Sequence, residues 1–328
     1  MKNVNLILFL FWFNTNAQMI TIPVETKDNA LVLQTDKENR MRMTYFGKKL
    51  KSATEYENLK VSSARYDEAN AGIASSAYTP SGTWNLGEPA IEVIHADGNT
   101  SLELKYVSHK VEKIEENVSL ISVFLKDPLY STEVTLFYKT FSNENVIEQW
   151  TVIKNLEKGI LKLKKYASAN LHFVAKDFFL HHYHGEWAKE MKPEDTKLTA
   201  GIKTLDSKLN TRANIYQPPT FQLSFDEQAT EDHGKVFMGT LGWSGNFRFD
   251  FEKDNYQNLK LIAGINPHAA EYSLNTNEEF KTPSFISCYS ENGQGQASRE
   301  MHNWARKYRI LDGEGTRMTL LNNWEATY

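Results

Sequence analysis

Three histidines fall within four positions at His181-His182-Tyr183-His184, and Gly185-Glu186-Trp187 follows directly. On a strand, alternate side chains share a face, so His182 and His184 point one way and His181 the other. Imidazole is a good metal ligand, but a zinc site takes three or four protein ligands. No cysteine lies near in sequence to complete one. The stretch therefore reads as a polar loop rim, and neither a metal nor a cofactor is expected. Trp187 has two readings. An indole can stack on the apolar C–H face of a hexose while fixed polar groups hold the hydroxyls. It can equally be a core residue, and from residue type alone the core is the default.

The second stretch is Leu320-Leu321-Asn322-Asn323-Trp324-Glu325-Ala326-Thr327-Tyr328. Met318 to Leu321 is short and mostly apolar, and it follows the polar, glycine-containing run Asp312 to Arg317. That is the pattern of a buried strand entered from a loop. Trp324, with Asn323 and Glu325 beside it, would sit at the strand's C-terminal end, where a barrel presents its working groups. Barrel packing is the bland reading of the same tryptophan. Other motifs fail: there is no phosphate-binding Gly-x-x-x-x-Gly-Lys-Ser/Thr and no His-Glu-x-x-His, and Gly313-x-Gly315 alone is a turn. Unassigned acidic pairs on strands read as solvated faces.

The elements that must position these residues are mainly strands. Alternation appears at Leu102 to Tyr106, Val134 to Tyr138 and Phe247 to Phe251, and apolar runs occur at Leu120 to Leu125 and Phe178 to Leu180. Turn signals separate them at Ala96 to Asn99, Ser142 to Asn145, Asn155 to Gly159 and Asp254-Asn255. Many short strands so punctuated predict a large β-sandwich. The exception is Ser298 to Arg309. Met301, Trp304, Ala305 and Tyr308 lie at i, i+3, i+4 and i+7, one apolar helical face. A second helix is an expectation around Pro193 to Leu205.

The 328 residues are 41% hydrophobic and carry 37 basic against 41 acidic side chains. That bounds the chain to one or two domains with a substantial core and gives no basic surface for nucleic acid. Residues 1–18 read as an export signal: Lys2, the charge-free run Leu6 to Phe13, and the small-residue site Thr15-Asn16-Ala17. The run is too short to span a bilayer, so no stable membrane insertion is expected. A periplasmic or secreted destination follows. Cys288, the single cysteine, permits no internal disulfide.

The segment Asn322 to Tyr328 resembles the motif that opens the catalytic barrel of glycoside hydrolase family 36, the α-galactosidases. Trp243-Ser244-Gly245-Asn246-Phe247, Gly264-Ile265-Asn266-Pro267 and Glu279-Phe280-Lys281-Thr282-Pro283 resemble the same family, in the right order. The resemblance implies a large N-terminal β-sandwich (a supersandwich), a linking helix and a (β/α)₈ barrel. On that plan residues 19–297 are the sandwich, 298–311 the linking helix and 312–328 the start of a truncated barrel. Trp187 then matches the sandwich tryptophan that leans over the sugar, and Trp324 the tryptophan lining the galactose site. Ser62 to Pro80 departs from the family, since its Arg65 and Asp67 stand in a different order from the pair that reaches a neighbouring subunit's sugar.

A retaining glycosidase needs two carboxylates about 5–5.5 Å apart, and the family's pair comes from later barrel strands. No catalytic residue is therefore expected here, and the chain alone is expected to be inactive toward the galactoside substrate. Residues beyond about Leu311 are expected to be weakly anchored. A second class of function is a non-catalytic carbohydrate-binding or oligomerisation sandwich, with homo-oligomer formation. A third is a sugar mutarotase, for which His182, His184 and Glu186 form the cluster to test.

Overall fold

Alternating strands have one apolar face each, and here those faces close as two sheets over a common core. The structure is a computed structural model that describes residues 19–59, 66–67, 70–71, 75–82, 85, 87–210 and 216–324. The expected export signal, residues 1–18, lies outside the described residues, as do Arg65 and 325–328.

The larger sheet has ten strands. From edge to edge it runs Lys192–Lys197, Phe178–His184, Thr220–Phe225, Lys235–Leu241, Phe285–Ser290, Val146–Asn155, Thr132–Phe141, Val118–Lys126 and Lys105–Glu115, with Glu279–Lys281 also paired to Val146–Asn155. The smaller sheet has six, in the order Gly201–Asp206, Phe247–Lys253, Asn258–Ile265, Leu161–Val174 and Tyr272–Leu274, with Ile91–Ile94 also on Leu161–Val174. A three-stranded antiparallel unit, Thr21–Glu25, Asn29–Thr35 and Met41–Lys48, packs into the same core. The mainly β large sandwich expected from the turn spacing, the supersandwich that the family resemblance implies, is the observed architecture.

Phenylalanines dominate the seam. Phe221, Phe237 and Phe285 project from the larger sheet; Phe247, Phe249 and Phe251 project from the smaller, and all six are fully buried. The Phe221 ring lies 4.9 Å from Phe251 and 5.4 Å from Phe249, both edge-on. Gly239 makes the seam possible: a Cβ there would come within 2.5 Å of Phe285 Cζ and 2.8 Å of Phe221 Cζ. On the opposite face of the smaller sheet, Arg248, Asp250 and Glu252 alternate with Phe247, Phe249 and Phe251. Buried Lys260 Nζ sits 2.6 Å from Glu252 Oε2 and donates to Glu88 O at 2.7 Å, so the lysine is paired as a buried cation must be.

Lys105–Glu115 forms the far edge of the larger sheet, and most of its residues are exposed. Its pairing with Val118–Lys126 shifts register between Tyr106 and Ser108 and again between Lys113 and Glu115. The alternation at Leu102 to Tyr106 only partly marks it: Leu102 and Leu104 are buried, but the strand begins at Lys105.

Two expectations need correction. The helix is Gly293–Tyr308, beginning five residues before Ser298. Glycines lower intrinsic helicity, so Gly293 and Gly295 read as a loop, but contact decides here. Gln294 N donates to Thr230 O at 2.9 Å and Gly295 N to Glu231 O at 3.0 Å, which satisfies first-turn amides. Gly293 takes φ +79, and a Cβ on it would lie 2.4 Å from Glu231 O. Only glycine allows that approach. The expected apolar face holds: Met301 and Trp304 are buried against Phe141, Val146, Ile286 and Cys288, with Ala305 and Tyr308 partly buried beside them. The second expected helix is absent. Pro193 to Leu205 forms parts of strands Lys192–Lys197 and Gly201–Asp206, at the edges of the two sheets, because strand partners were available for each.

Beyond the helix, Ile310, Leu311, Met318, Leu320 and Leu321 are exposed. Met318 to Leu321 has no regular structure and enters no ladder among the described residues. The exposure of these side chains agrees with the weak anchoring expected past Leu311. No helix among the described residues is long and apolar enough to cross a membrane.

His172 gives the fold an acid-side liability. Its Nε2 lies 2.9 Å from Ser76 O, and burial, reinforced by nearby Lys260 and Arg42, pulls its pKa from 6.5 down to about 3. The unfolded chain therefore binds the proton first. Stability from this residue is complete above about pH 6.5 and is lost as pH falls toward 3, at up to about 1.4 kcal/mol per pH unit. Urea midpoints between pH 7 and 4 should fall more steeply for the native chain than for His172→Gln. Equal slopes would remove His172 from the account.

Candidate carbohydrate-facing site

Phe178–His184 pairs with Lys192–Lys197 on one side and Thr220–Phe225 on the other, and the register decides what the histidines meet. His182 stands opposite Glu194, and His181 opposite Asp195. His181 Nδ1 is 2.7 Å from Asp195 Oδ1, and its ring meets Tyr183 edge-on at 5.0 Å. His182 faces inward and is 4% exposed, with no hydrogen-bond partner on either ring nitrogen. Its Nε2 lies 3.8 Å from Glu194 Oε1, and His184 Nδ1 lies 3.6 Å from Glu194 Oε2. Burial pushes the His182 pKa down against the opposing pull of Glu194. The imidazole is thus held toward its neutral form.

This corrects the reading of the cluster as a loop rim, since all three histidines belong to the strand and His182 is inside. It also breaks the set His182, His184 and Glu186. Glu186 turns away to Lys189, 3.2 Å distant, and the acid near the two histidines is Glu194. Glu194 was out of reach of the sequence because its partner is set by hairpin register. Among the described residues no three His, Cys, Asp or Glu side chains converge to hold a metal ion.

Trp187 sits on the connection of this hairpin and is 77% exposed. The core default for it is therefore wrong. The connection is tightly built. Lys189 N donates to Glu186 O at 2.9 Å, and Ala188 takes φ 61. Gly185 N donates to Tyr216 O at 2.9 Å, and Gln217 Nε2 donates to Tyr183 O at 2.7 Å. A Cβ on Gly185 would strike Lys189 O at 2.6 Å, so glycine is required where the chain folds back. The result is an indole held outward on a pinned hairpin at one edge of the larger sheet.

Trp324 lies elsewhere in the chain, past the helix, and is 67% exposed. Its N–H donates to Asn322 Oδ1 at 2.9 Å. Glu325 lies outside the described residues. Of the early loop, Asp67 belongs to the two-residue strand Tyr66–Asp67, paired with Asn70–Ala71. Gly245 makes room for a side chain: a Cβ there would lie 2.7 Å from Trp243 Nε1.

The fold is thus a large antiparallel supersandwich with the helix Gly293–Tyr308 packed on it, and the hairpin after His184 carries an exposed tryptophan. Residues 39–275 match the Glycosyl hydrolase family 36 N-terminal domain, and the chain belongs to that family. Among curated relatives, the α-galactosidase Mel36A of Lactobacillus acidophilus is 29% identical over 268 residues, 76% of this chain and 36% of the relative. The bifunctional α-galactosidase/sucrose kinase AgaSK of Mediterraneibacter gnavus is 26% identical over 340 residues, 96% of this chain and 36% of the relative. The chain thus spans about a third of the length of these relatives. Among solved structures, a variant of the family 36 α-galactosidase AgaA of Geobacillus stearothermophilus in complex with stachyose superposes with a TM-score of 0.85 at 25% identity, covering 94% of this chain and 46% of that one.

Proposed function

We propose that this chain is the N-terminal sandwich of a retaining α-galactosidase acting on terminal α-galactosides of oligosaccharides, with its two catalytic carboxylates supplied by barrel strands beyond those present here. The observation that carries the reading is Trp187, exposed on a hairpin that Gly185, Tyr216 and Gln217 hold in place. A protein gains nothing in stability by pinning an indole in water, whereas an exposed, oriented aromatic face suits the C–H face of a hexose. Trp324 would line the same galactose pocket once barrel strands surround it. The relative solved with stachyose supports an oligosaccharide substrate. The charge-free run Leu6 to Phe13 supports an exported enzyme.

The test has two arms. The purified 328-residue chain should release no aryl alcohol from an aryl α-galactoside; robust turnover that survives purification would overturn the division of labour. In a longer protein that joins this chain to a family barrel, Trp187→Ala should raise KM about ten-fold, roughly 1.4 kcal/mol. The circular dichroism spectrum and melting temperature should stay unchanged, because the ring is exposed. An unchanged KM would return Trp187 to the surface with no role.

A further inference from the structure

We infer that Ala188 and Met191 are positioning residues for the proposed sugar site: each is held in left-handed backbone that its side chain resists, and together they fix the direction in which Trp187 leaves its hairpin. Their role rests on the reading of Trp187 as a residue that stacks on a galactoside.

His184 pairs with Lys192, so residues 185–191 connect the two strands. Glu186 and Lys189 exchange both backbone hydrogen bonds: Lys189 N donates to Glu186 O at 2.9 Å, and Glu186 N to Lys189 O at 3.5 Å. Trp187 and Ala188 are therefore the two central residues of a four-residue turn. Ala188, in third place, takes φ 61, whereas Trp187 is not among the residues with positive φ. A turn of this kind ordinarily carries Gly or Asn in third place, because a Cβ there crowds the following carbonyl oxygen. Met191 takes φ 55 one step before Lys192 re-enters the ladder opposite His184.

Such conformations are not spread evenly over the molecule. Among the described residues eleven non-glycines take positive φ, and six of them are Asn or Asp, whose short polar side chains bond locally and tolerate it. Three carry apolar side chains: Ala188, Met191 and Ala269. Two of these three lie in the connection that bears Trp187. Burial does not compensate them, since both are exposed. Unfavourable backbone persists only where its surroundings over-determine it, and it collects at ligand clamps. Here the surroundings are the Glu186–Lys189 pair, the Ala188 N bond to Glu190 Oε1 at 3.1 Å and the Gly185 N bond to Tyr216 O.

A Cβ at these positions does what glycine cannot. At positive φ it confines a residue to the small left-handed well, whereas glycine also reaches the mirror-β region. Ala188 and Met191 thus lower stability and narrow the set of directions open to Trp187. Asparagine would keep the confinement with less strain, and glycine would remove both.

Trypsin cleavage after Lys189, inside the turn, reads backbone freedom in the whole 328-residue chain, because cleavage needs local opening. Ala188→Gly should speed it about ten-fold and hold or raise the melting temperature. Ala188→Asn should keep the native cleavage rate. Met191→Gly should act as Ala188→Gly does, and carries the test if that variant does not fold. In the longer protein that joins this chain to a family barrel, Ala188→Gly should raise KM several-fold at unchanged kcat, and Ala188→Asn should restore the native KM. An unchanged cleavage rate in the glycine variants, a fall of several degrees in their melting temperature, or an equal rise in KM for the asparagine variant would each overturn the assignment. If Trp187→Ala raises KM and Ala188→Gly does not, the positioning role fails and the sugar site stands. If Trp187→Ala leaves KM unchanged, the sugar site itself fails.

Discussion

Replacing Phe221 by alanine should lower the unfolding free energy by about 3–5 kcal/mol, the usual cost of emptying a buried phenylalanine site. Phe221 has 0% exposure and stands where the two sheets meet. Its ring contacts Phe251 and Phe249 across the seam, and Phe237 and Phe285 within its own sheet, at centroid distances from 4.9 to 6.3 Å. Four aromatic neighbours lose a partner at once, and each such pair adds about 0.5–1.5 kcal/mol beyond area burial. The void cannot collapse easily, since Gly239 already brings the backbone against the same rings. Folded domains are stable by only about 5–15 kcal/mol, so the loss is a large fraction of the total. Thermal melts should show a fall on the order of 10 °C. Phe221→Leu, which keeps most of the volume, should lose less than half as much. A melting temperature within a degree of the native value for Phe221→Ala would show that the seam is not where the sandwich is held.

Asn145→Ala should cost about 3–4 kcal/mol, an effect out of proportion to a residue on a surface turn. Asn145 ends the four-residue turn between Thr132–Phe141 and Val146–Asn155, at φ 55. Its Oδ1 accepts from Thr26 Oγ1 at 3.1 Å and from Asp28 N at 2.9 Å. Its Nδ2 donates to Asp28 and Glu300, so one side chain ties the N-terminal unit, the larger sheet and the helix together. Removing it leaves buried groups without partners, at about 1–3 kcal/mol each. It also places an alanine in the left-handed region at a further cost of about 1–2 kcal/mol. Asn145→Gly isolates the two contributions: it loses the same hydrogen bonds but not the backbone preference, so it should be the milder change by about 1 kcal/mol. If the glycine variant proves the less stable of the two, the backbone half of this account is wrong.

The sandwich was legible because its strongest signal is periodic. Phe247, Phe249 and Phe251 alternate with Arg248, Asp250 and Glu252, and the structure puts the aromatics inside and the charges on the other face. Burial alternates likewise at Val134, Leu136 and Tyr138, which are inside, with Thr135 and Phe137 less buried between them. The helix was legible over Met301 to Tyr308 and not over Gly293 to Ala297. Its first turn is licensed by backbone contact with residues 230–234, which are distant in sequence. Long-range partners explain the other failures. Glu194 faces His182 only through hairpin register, and on its other side His182 stands opposite Phe221 of the neighbouring strand. Residue type alone favoured the core for Trp187; the family resemblance favoured the surface, where the ring is found.

The outer strand Lys105–Glu115 offers eleven residues of backbone with one ladder side open. Such a rim is a template for any extended chain that drifts against it, and fibres begin in this way. Lys105, Lys110 and Lys113, interspersed with Glu112 and Glu115, repel a like-charged copy approaching in register, and the two register breaks bend the rim out of flatness. Colloidal behaviour in concentrated solution thus depends on a handful of surface charges with no part in the fold's interior, and replacing all five by uncharged residues would make the rim adhesive while the core stayed intact.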